Sequence, residues 1–278
     1  MSEPKVLDLR HTDNRDRGFG LPSLMRDWVD LVFVDEPFGA CEKQQVIWHE
    51  RKYNSQAADW DQLPENTQFW ADEVFRILRP GGVVYAKATF HNKDRVRNAL
   101  RRSFGAVDLE HRLQSANEQE IILFMTNAMP LKFAKQAKKF AYTHETLFKF
   151  TKPGGDEYWN YDRLKEINDG RQMRDVWQIC KPIGRARANH EAPTPPDVIK
   201  NIYAASLPRR GSVVDPFMGA GETALQIREY SGVFVGMELL KRHFDTTRKR
   251  LIVAGLGTKI EVRRSESGVC QPKTEPAS

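Results

Sequence analysis

The stretch Gly211-Ser-Val-Val-Asp-Pro-Phe-Met-Gly-Ala-Gly-Glu-Thr-Ala224 constrains the fold most, because it reads as strand, glycine turn and helix start. Val213 and Val214 form a short β-branched run, Asp215 and Pro216 end it, and Gly219 and Gly221 bracket a tight turn. Thr223, Ala224, Leu225 and Ile227 open a helical pattern. Glycines at such a turn let the backbone approach a ligand that any Cβ would push away. Downstream, Gly232-Val-Phe-Val-Gly-Met-Glu238 is an apolar run ending in a carboxylate. That acid stands about where a nucleotide site places its ribose-binding acid, so the pattern implies a cofactor with an adenosine part. Gly219-Ala-Gly221-Glu-Thr-Ala224 also fits G-x-G-x-x-A, which leaves a nicotinamide dehydrogenase open at this point.

The position of the glycine turn is unusual. Val29–Val34 looks like a buried parallel strand, and Thr67–Leu78 like an amphipathic helix burying Phe69, Trp70, Val74, Ile77 and Leu78. Val83–Ala86 is the next strand, and Lys93–Ser103 a basic helix with Val96, Ala99 and Leu100 inward. Strands are also expected at Glu120–Met125 and Glu145–Phe150, and a helix at Asp197–Ala205. The polar stretch from Ala40 to Asn66 reads as a long loop, the pattern fades from Gly154 to Asn189, and the tail from Ser265 reads as disordered. This alternation predicts an α/β fold, a Rossmann-like, mainly parallel sheet with helices on both faces. Only 63 residues follow Asp215, too few to build a dinucleotide-binding sheet after its glycine turn. The rest of the sheet must come from the N-terminal half. That disfavours the dehydrogenase and places the turn beside the end of Val29–Val34, at a topological switch point.

Composition narrows the partners. No window approaches eighteen uninterrupted apolar residues, and Met-Ser-Glu-Pro-Lys-Val at the start has no apolar signal core. Cys41, Cys180 and Cys270 lie far apart without metal spacing, so reduced thiols in a cytoplasmic protein and no metal are expected. The net charge is +6, gathered in Lys93–Arg102, in Lys132–Lys139 and in Lys181–Arg187. Each run alone reads as a solvated face; together they point to a polyanion, namely nucleic acid.

At the end of the first apolar strand, Asp35-Glu-Pro-Phe38 sets a carboxylate, a rigid turn and an aromatic ring side by side. Group transfer to an exocyclic base amine needs such parts. The amine lone pair is delocalised into the ring, so acceptors must draw on its N–H groups, and an aromatic face must hold the base out of the stack. Here the chain resembles the permuted (beta-group) amino-methyltransferases of DNA, which use S-adenosylmethionine. Their Asp-Pro-Pro-Tyr/Phe type motif comes first, a target-recognition segment follows, and an Asp-Pro-Phe-x-Gly-Ser-Gly-Thr-Thr type motif comes last. Asp35–Phe38 and Asp215–Thr223 match the two ends. Leu78-Arg-Pro-Gly-Gly-Val83, Tyr142-Thr-His-Glu-Thr146, Arg174-Asp-Val-Trp177, Asn189-His-Glu-Ala-Pro193, Val235-Gly-Met-Glu238 and Arg248-Lys-Arg-Leu251 match between and after them.

The resemblance implies a role for each matched position. Asp35 and the Glu36 carbonyl would accept from the target amine, Pro37 would stiffen the turn, and Phe38 would stack on the flipped base. Asp215, Pro216, Phe217, Gly219, Gly221 and Thr223 would wrap the cofactor, Glu238 would bind its ribose, and His190 and Pro193 would lie in the stretch that closes over the methionine end. Lys135, Lys138, Lys139, Arg185 and Arg187 are candidate phosphate contacts. One methyltransferase domain would span residues 1–265, with a catalytic half at about 29–130, a recognition region at about 134–188 and a cofactor half at about 189–265. Asp35 leans towards adenine N6, with cytosine N4 the alternative. The family has proline where this chain has Glu36: either its side chain points away and activity survives, or its charge stands beside a cationic cofactor and a polyanionic substrate and this copy is impaired or modified in substrate. This departure motivates a second reading, a homologue that binds cofactor and DNA without transfer. The resemblance leaves open a homodimer and a cognate restriction endonuclease.

Overall fold

Side chains of a strand point alternately to opposite faces, and that period decides which residues meet which layer. The computed structural model describes residues 6–37, 47–48, 51–52, 64–105, 118–128, 130, 138–183, 193–230 and 232–264. Its first half runs β1 (Val6–His11), β2 (Val29–Val34), β3 (Ile47–Trp48), β4 (Arg51–Lys52), α1 (Pro64–Ile77), β5 (Leu78–Ala88), α2 (Lys93–Phe104) and β6 (Gln119–Met125). There follow β7 (His144–Thr151), α3 (Tyr161–Ile167), β8 (Val176–Ile179), α4 (Pro196–Ser206), β9 (Ser212–Asp215), α5 (Glu222–Gln226), β10 (Val233–Glu238), α6 (Lys241–Val253) and β11 (Ile260–Arg264).

The main sheet has the order β11-β1-β10-β9-β2-β5-β7-β6-β8, and β3 pairs with β4 in a separate two-stranded sheet. From β11 to β5 every neighbouring pair is parallel. β7 runs antiparallel to both β5 and β6, and β8 is parallel to β6. The two faces carry separate apolar clusters. Leu31 and Phe33 of β2 join Val83 and Tyr85 of β5 against Val198, Ile199 and Ile202 of α4 and Phe244 and Leu251 of α6. Val32 and Val34 join Val84 and Ala86 against Trp70, Ala71 and Val74 of α1 and Val96, Ala99 and Leu100 of α2. The expected α/β sheet covered on both faces is what forms.

Several elements were not expected. β1 contains Asp8 and Arg10, which read as polar yet are buried because they pair with each other at 2.8 Å. Arg10 also donates to the Phe19 carbonyl and Ser23 Oγ, so its charge and hydrogen bonds are satisfied. β11 lies at the sheet edge and is mostly exposed, which removes the apolar signal. Within the region where the pattern fades, α3 buries only Leu164, and β8 alternates exposed and buried over four residues. β5 starts at Leu78 rather than Val83, with a register shift against β2 between Val29 and Leu31. Most of Ala40–Asn66 and the tail from Ser265 lie outside the described residues.

Candidate active site

β2 and β9 are hydrogen-bonded neighbours, and the chain leaves them to build opposite halves of the sheet. This is the switch point where a crevice opens beyond the strand ends. Asp35, Asp215 and Glu238 stand at the carboxyl ends of β2, β9 and β10. The Asp215 carboxylate accepts from the Phe217 backbone N–H at 3.0 Å and from Thr223 Oγ1 at 2.6 Å, which draws the glycine turn into shape. Glu238 accepts from the Gly219 and Leu240 backbone N–H groups at 2.9 and 2.7 Å. Gly219 and Gly221 have φ of 53° and 78°. A Cβ on Gly221 would lie 2.3 Å from Thr247 Cγ2, so this turn requires glycine for close approach as well as for φ. Pro216 is buried and Phe217 half-buried beside it.

Burial pushes Asp215 up to about 7, and the charges of Asp35 and Glu238 push the same way. Burial likewise pushes Glu238 up to about 7. Three acids converging on one crevice repel one another, so the crevice favours a ligand that carries positive charge.

Asp35 continues the β2 alternation on the face of Leu31 and Phe33, where Lys87 of β5 and Glu145 of β7 also point. Lys87 Nζ stands 2.8 Å from Asp35 Oδ2 and 3.4 Å from Glu145 Oε2, with its side chain 3% exposed. Glu145 Oε1 pairs in turn with Lys181 at 2.6 Å. Thr194 Oγ1 donates to Asp35 Oδ2 at 2.7 Å. Asp35 Oδ1 is buried and has no hydrogen-bond partner among the described residues. Burial raises Asp35, with Lys87 the main opposing influence. Burial alone would lower Lys87, but the fields of Asp35 and Glu145 outweigh it and leave the ammonium raised.

Glu36 falls on the other face, that of Val32 and Val34, and its side chain is 2% exposed. Its Oε2 accepts from Thr67 Oγ1 at 2.9 Å and Trp70 Nε1 at 2.8 Å, both on α1. Its Oε1 accepts from Asn92 Nδ2 at 3.1 Å and from Arg95 of α2 at 3.0 Å. Of the two placements open for the Glu36 charge, the structure has the one that points away: alternation turns the carboxylate from the crevice into a pocket with four donors.

The family profile for DNA methylases, the N6/N4 methyltransferase group, matches residues 29–249. The chain belongs to this DNA methylase family. It is 26% identical over 241 residues to the Type II methyltransferase M2.DpnII of Streptococcus pneumoniae, covering 83% of this chain and 85% of the relative. Its fold is similar to a solved DNA modification methylase of Thermus thermophilus complexed with S-adenosyl-L-methionine, with a TM-score of 0.62 at 18% identity over 93% and 100% of the two chains. It is also similar to the cytosine-N4-specific PvuII DNA methyltransferase, with a TM-score of 0.64 at 15% identity over 88% of each chain.

The remaining expected positions of this methylase are unevenly placed. Pro37 is exposed after the Asp35 turn, and Pro193 precedes Thr194. Lys138 and Lys139 are exposed. Phe38, Lys135, Arg185, Arg187 and His190 lie outside the described residues. The basic run on α2 is paired with nearby acids, so it adds little to the polyanion reading of the three runs together. Lys93 pairs with Glu120, Arg95 with Glu36, and Arg97 and Arg101 with Glu118. Local acids thus neutralise most of that run. Lys87, Thr194 and Glu145 were missed as site residues. A lysine inside the apolar strand Val83-Val-Tyr-Ala-Lys-Ala88 was the available signal for the first.

Proposed function

We propose that this methylase transfers a methyl group from S-adenosylmethionine to an exocyclic amine of a flipped DNA base, adenine N6 before cytosine N4. The observation that carries the reading is the buried Oδ1 of Asp35, without a partner among the described residues, at the switch point beside the glycine turn. The permuted order supports it, since β2 with Asp35 precedes β9 with Asp215 in the chain. On this reading residues 1–265 form one domain, and β1, paired with β10, adds to the cofactor half.

The residues present fit that cofactor. The crevice gathers acids that favour a cation, and the turn at Gly221 admits no Cβ. Asp215, Phe217, Gly219 and Glu238 would hold it, with Pro193 in the stretch that closes beside Thr194. When bound, S-adenosylmethionine supplies a methyl group on positively charged sulfur. Asp35 Oδ1 and the Glu36 carbonyl then accept the two amine N–H groups, which localises the lone pair on nitrogen and aims it. As the amine nitrogen takes the methyl group, the carbon–sulfur bond would break to leave a neutral thioether, and the amine proton would leave by way of Asp35 to water. Phe38 would stack on the extruded ring. The inward Glu36 side chain supports activity over a non-catalytic homologue, because no added charge faces the substrate.

Incubation with methyl-labelled S-adenosylmethionine and unmethylated genomic DNA tests the reading. Label recovered in N6-methyl-2′-deoxyadenosine after digestion to nucleosides is expected. Label in N4-methyl-2′-deoxycytidine would overturn the base assignment. Binding of cofactor and DNA without any transfer would overturn the catalytic reading.

A further inference from the structure

Lysine is rarely buried, and a buried ammonium is tolerated only where carboxylates surround it. Lys87 meets that condition by lying between Asp35 and Glu145, and Lys181 closes the chain of alternating charge at the surface. Neutralising two acids would account for the lysine but not for where the bonds fall. Lys87 and Thr194 both engage the same oxygen, Asp35 Oδ2, at 2.8 and 2.7 Å, while Oδ1 has no partner among the described residues. A carboxylate held this way cannot exchange its oxygens without losing two short bonds. A bare buried acceptor is costly, and it persists where a ligand supplies the missing donor.

We propose that Lys87, with Thr194, is a positioning residue that fixes Asp35 so that Oδ1 alone is presented to the target amine. The inference rests on the methyltransferase reading of Asp35 and adds to it a residue that the family pattern does not mark. Among the described residues, the groups facing Asp35 are Lys87 from β5, Glu145 from β7, Thr194 from the approach to α4, and the like charge of Asp215 on β9. Of these, only Lys87 is a cation at the carboxylate. It favours the ionised form, which accepts hydrogen bonds and does not donate them. Thr194 lies one residue past Pro193, so the substrate acceptor is also tied to the stretch assigned to the cofactor's methionine end.

The test compares full-length wild type, Lys87→Met, Lys87→Arg and Thr194→Val, at a temperature well below every melting point. Lys87→Met is expected to lower kcat by about tenfold to a hundredfold, with KM for DNA and Kd for S-adenosylmethionine within about twofold. The acid limb of its kcat–pH profile should move to higher pH, because Asp35 loses the cation that favours ionisation. Lys87→Arg should recover part of kcat and return the limb. Thr194→Val buries no unpaired charge, and it should lower kcat several-fold with KM unchanged, which keeps the test alive where Lys87→Met fails to fold. A lowered melting point with unchanged kcat and acid limb would overturn the proposal while leaving the methyltransferase reading intact. No transfer by the wild type would overturn both.

Discussion

Replacing Glu36 by proline, the residue its family carries there, is the sharpest perturbation. Pattern alone says that proline should stiffen the catalytic turn and preserve or raise activity. The structure says the opposite, because the glutamate holds donors that proline would orphan. Thr67, Trp70 and Asn92 are buried and Arg95 is partly so. An orphaned buried donor costs about 1–3 kcal/mol, and breaking a buried ion pair about 3–5 kcal/mol. These costs overlap, since the same carboxylate serves all four partners, and Arg95 can turn towards water. A net loss of about 4 kcal/mol follows, which in a chain of this size lowers Tm by on the order of 10 °C. Glu36→Gln should lose about half as much, because one amide oxygen can serve one pair of donors while its NH2 opposes the other.

Differential scanning fluorimetry gives the stability, and single-turnover methyl transfer well below Tm gives the chemistry. Asp35 is the neighbouring residue, so a turn released from α1 and α2 should also slow transfer by about tenfold or more. Glu36→Pro with Tm within about 2 °C of wild type and undiminished transfer would refute the reasoning. The carboxylate would then be a tolerated departure and not an anchor.

Three other outcomes are expected. Asp215 and Glu238, raised to about 7, hold protons in the folded protein that the unfolded chain has released. Their contribution to stability is full below about pH 4 and is lost as pH rises through about 7. A cation favours their ionised forms, so the gain in Tm on adding S-adenosylmethionine should be larger at pH 8 than at pH 6, and an equal gain would contradict the cradle. Gly221→Ala meets Thr247 Cγ2 at 2.3 Å and a φ of 78°, and calorimetry should find cofactor affinity reduced with Asp35 untouched. Phe90 and Tyr142 stack at 4.8 Å and 25°, though 67% and 51% exposed, just past the end of β5 and just before β7. That is the end of the sheet that carries Asp35. Base–aromatic stacking is worth about 1–3 kcal/mol per base, so replacing both by alanine should weaken DNA binding by about tenfold or more in fluorescence anisotropy. Cofactor binding should be unmoved.

Much of the site was legible because turn chemistry is local. Asp35, Asp215 and Glu238 each end an apolar run, and the late position of the glycine turn was enough to set it beside β2. What escaped the sequence depends on neighbours that no window contains. β1 was hidden because Asp8 and Arg10 read as solvent-facing until each is known to cancel the other. The charge on α2 counted towards the joint polyanion reading of the three runs because the acids that cancel it, Glu118 just before β6 and Glu120 within it, are not on the helix.

Glu36 and Lys87 show how far alternation could have carried the reading. With Val32 and Val34 facing α1 and α2, the period places Glu36 there too, opposite Asp35. With Val83 and Tyr85 facing α4, it places Lys87 on the side of Asp35. Glu36 on one face, and Lys87 with Asp35 on the other, thus depart from the apolar pattern at the same level of the sheet, and each meets partners of complementary chemistry. Glu36 is a carboxylate among donors, and Lys87 a cation between carboxylates. Proline stiffens a turn by restricting its own backbone, whereas this chain holds the turn from both faces through side chains. If that account holds, Glu36→Pro fails because rigidity was never what the position lacked.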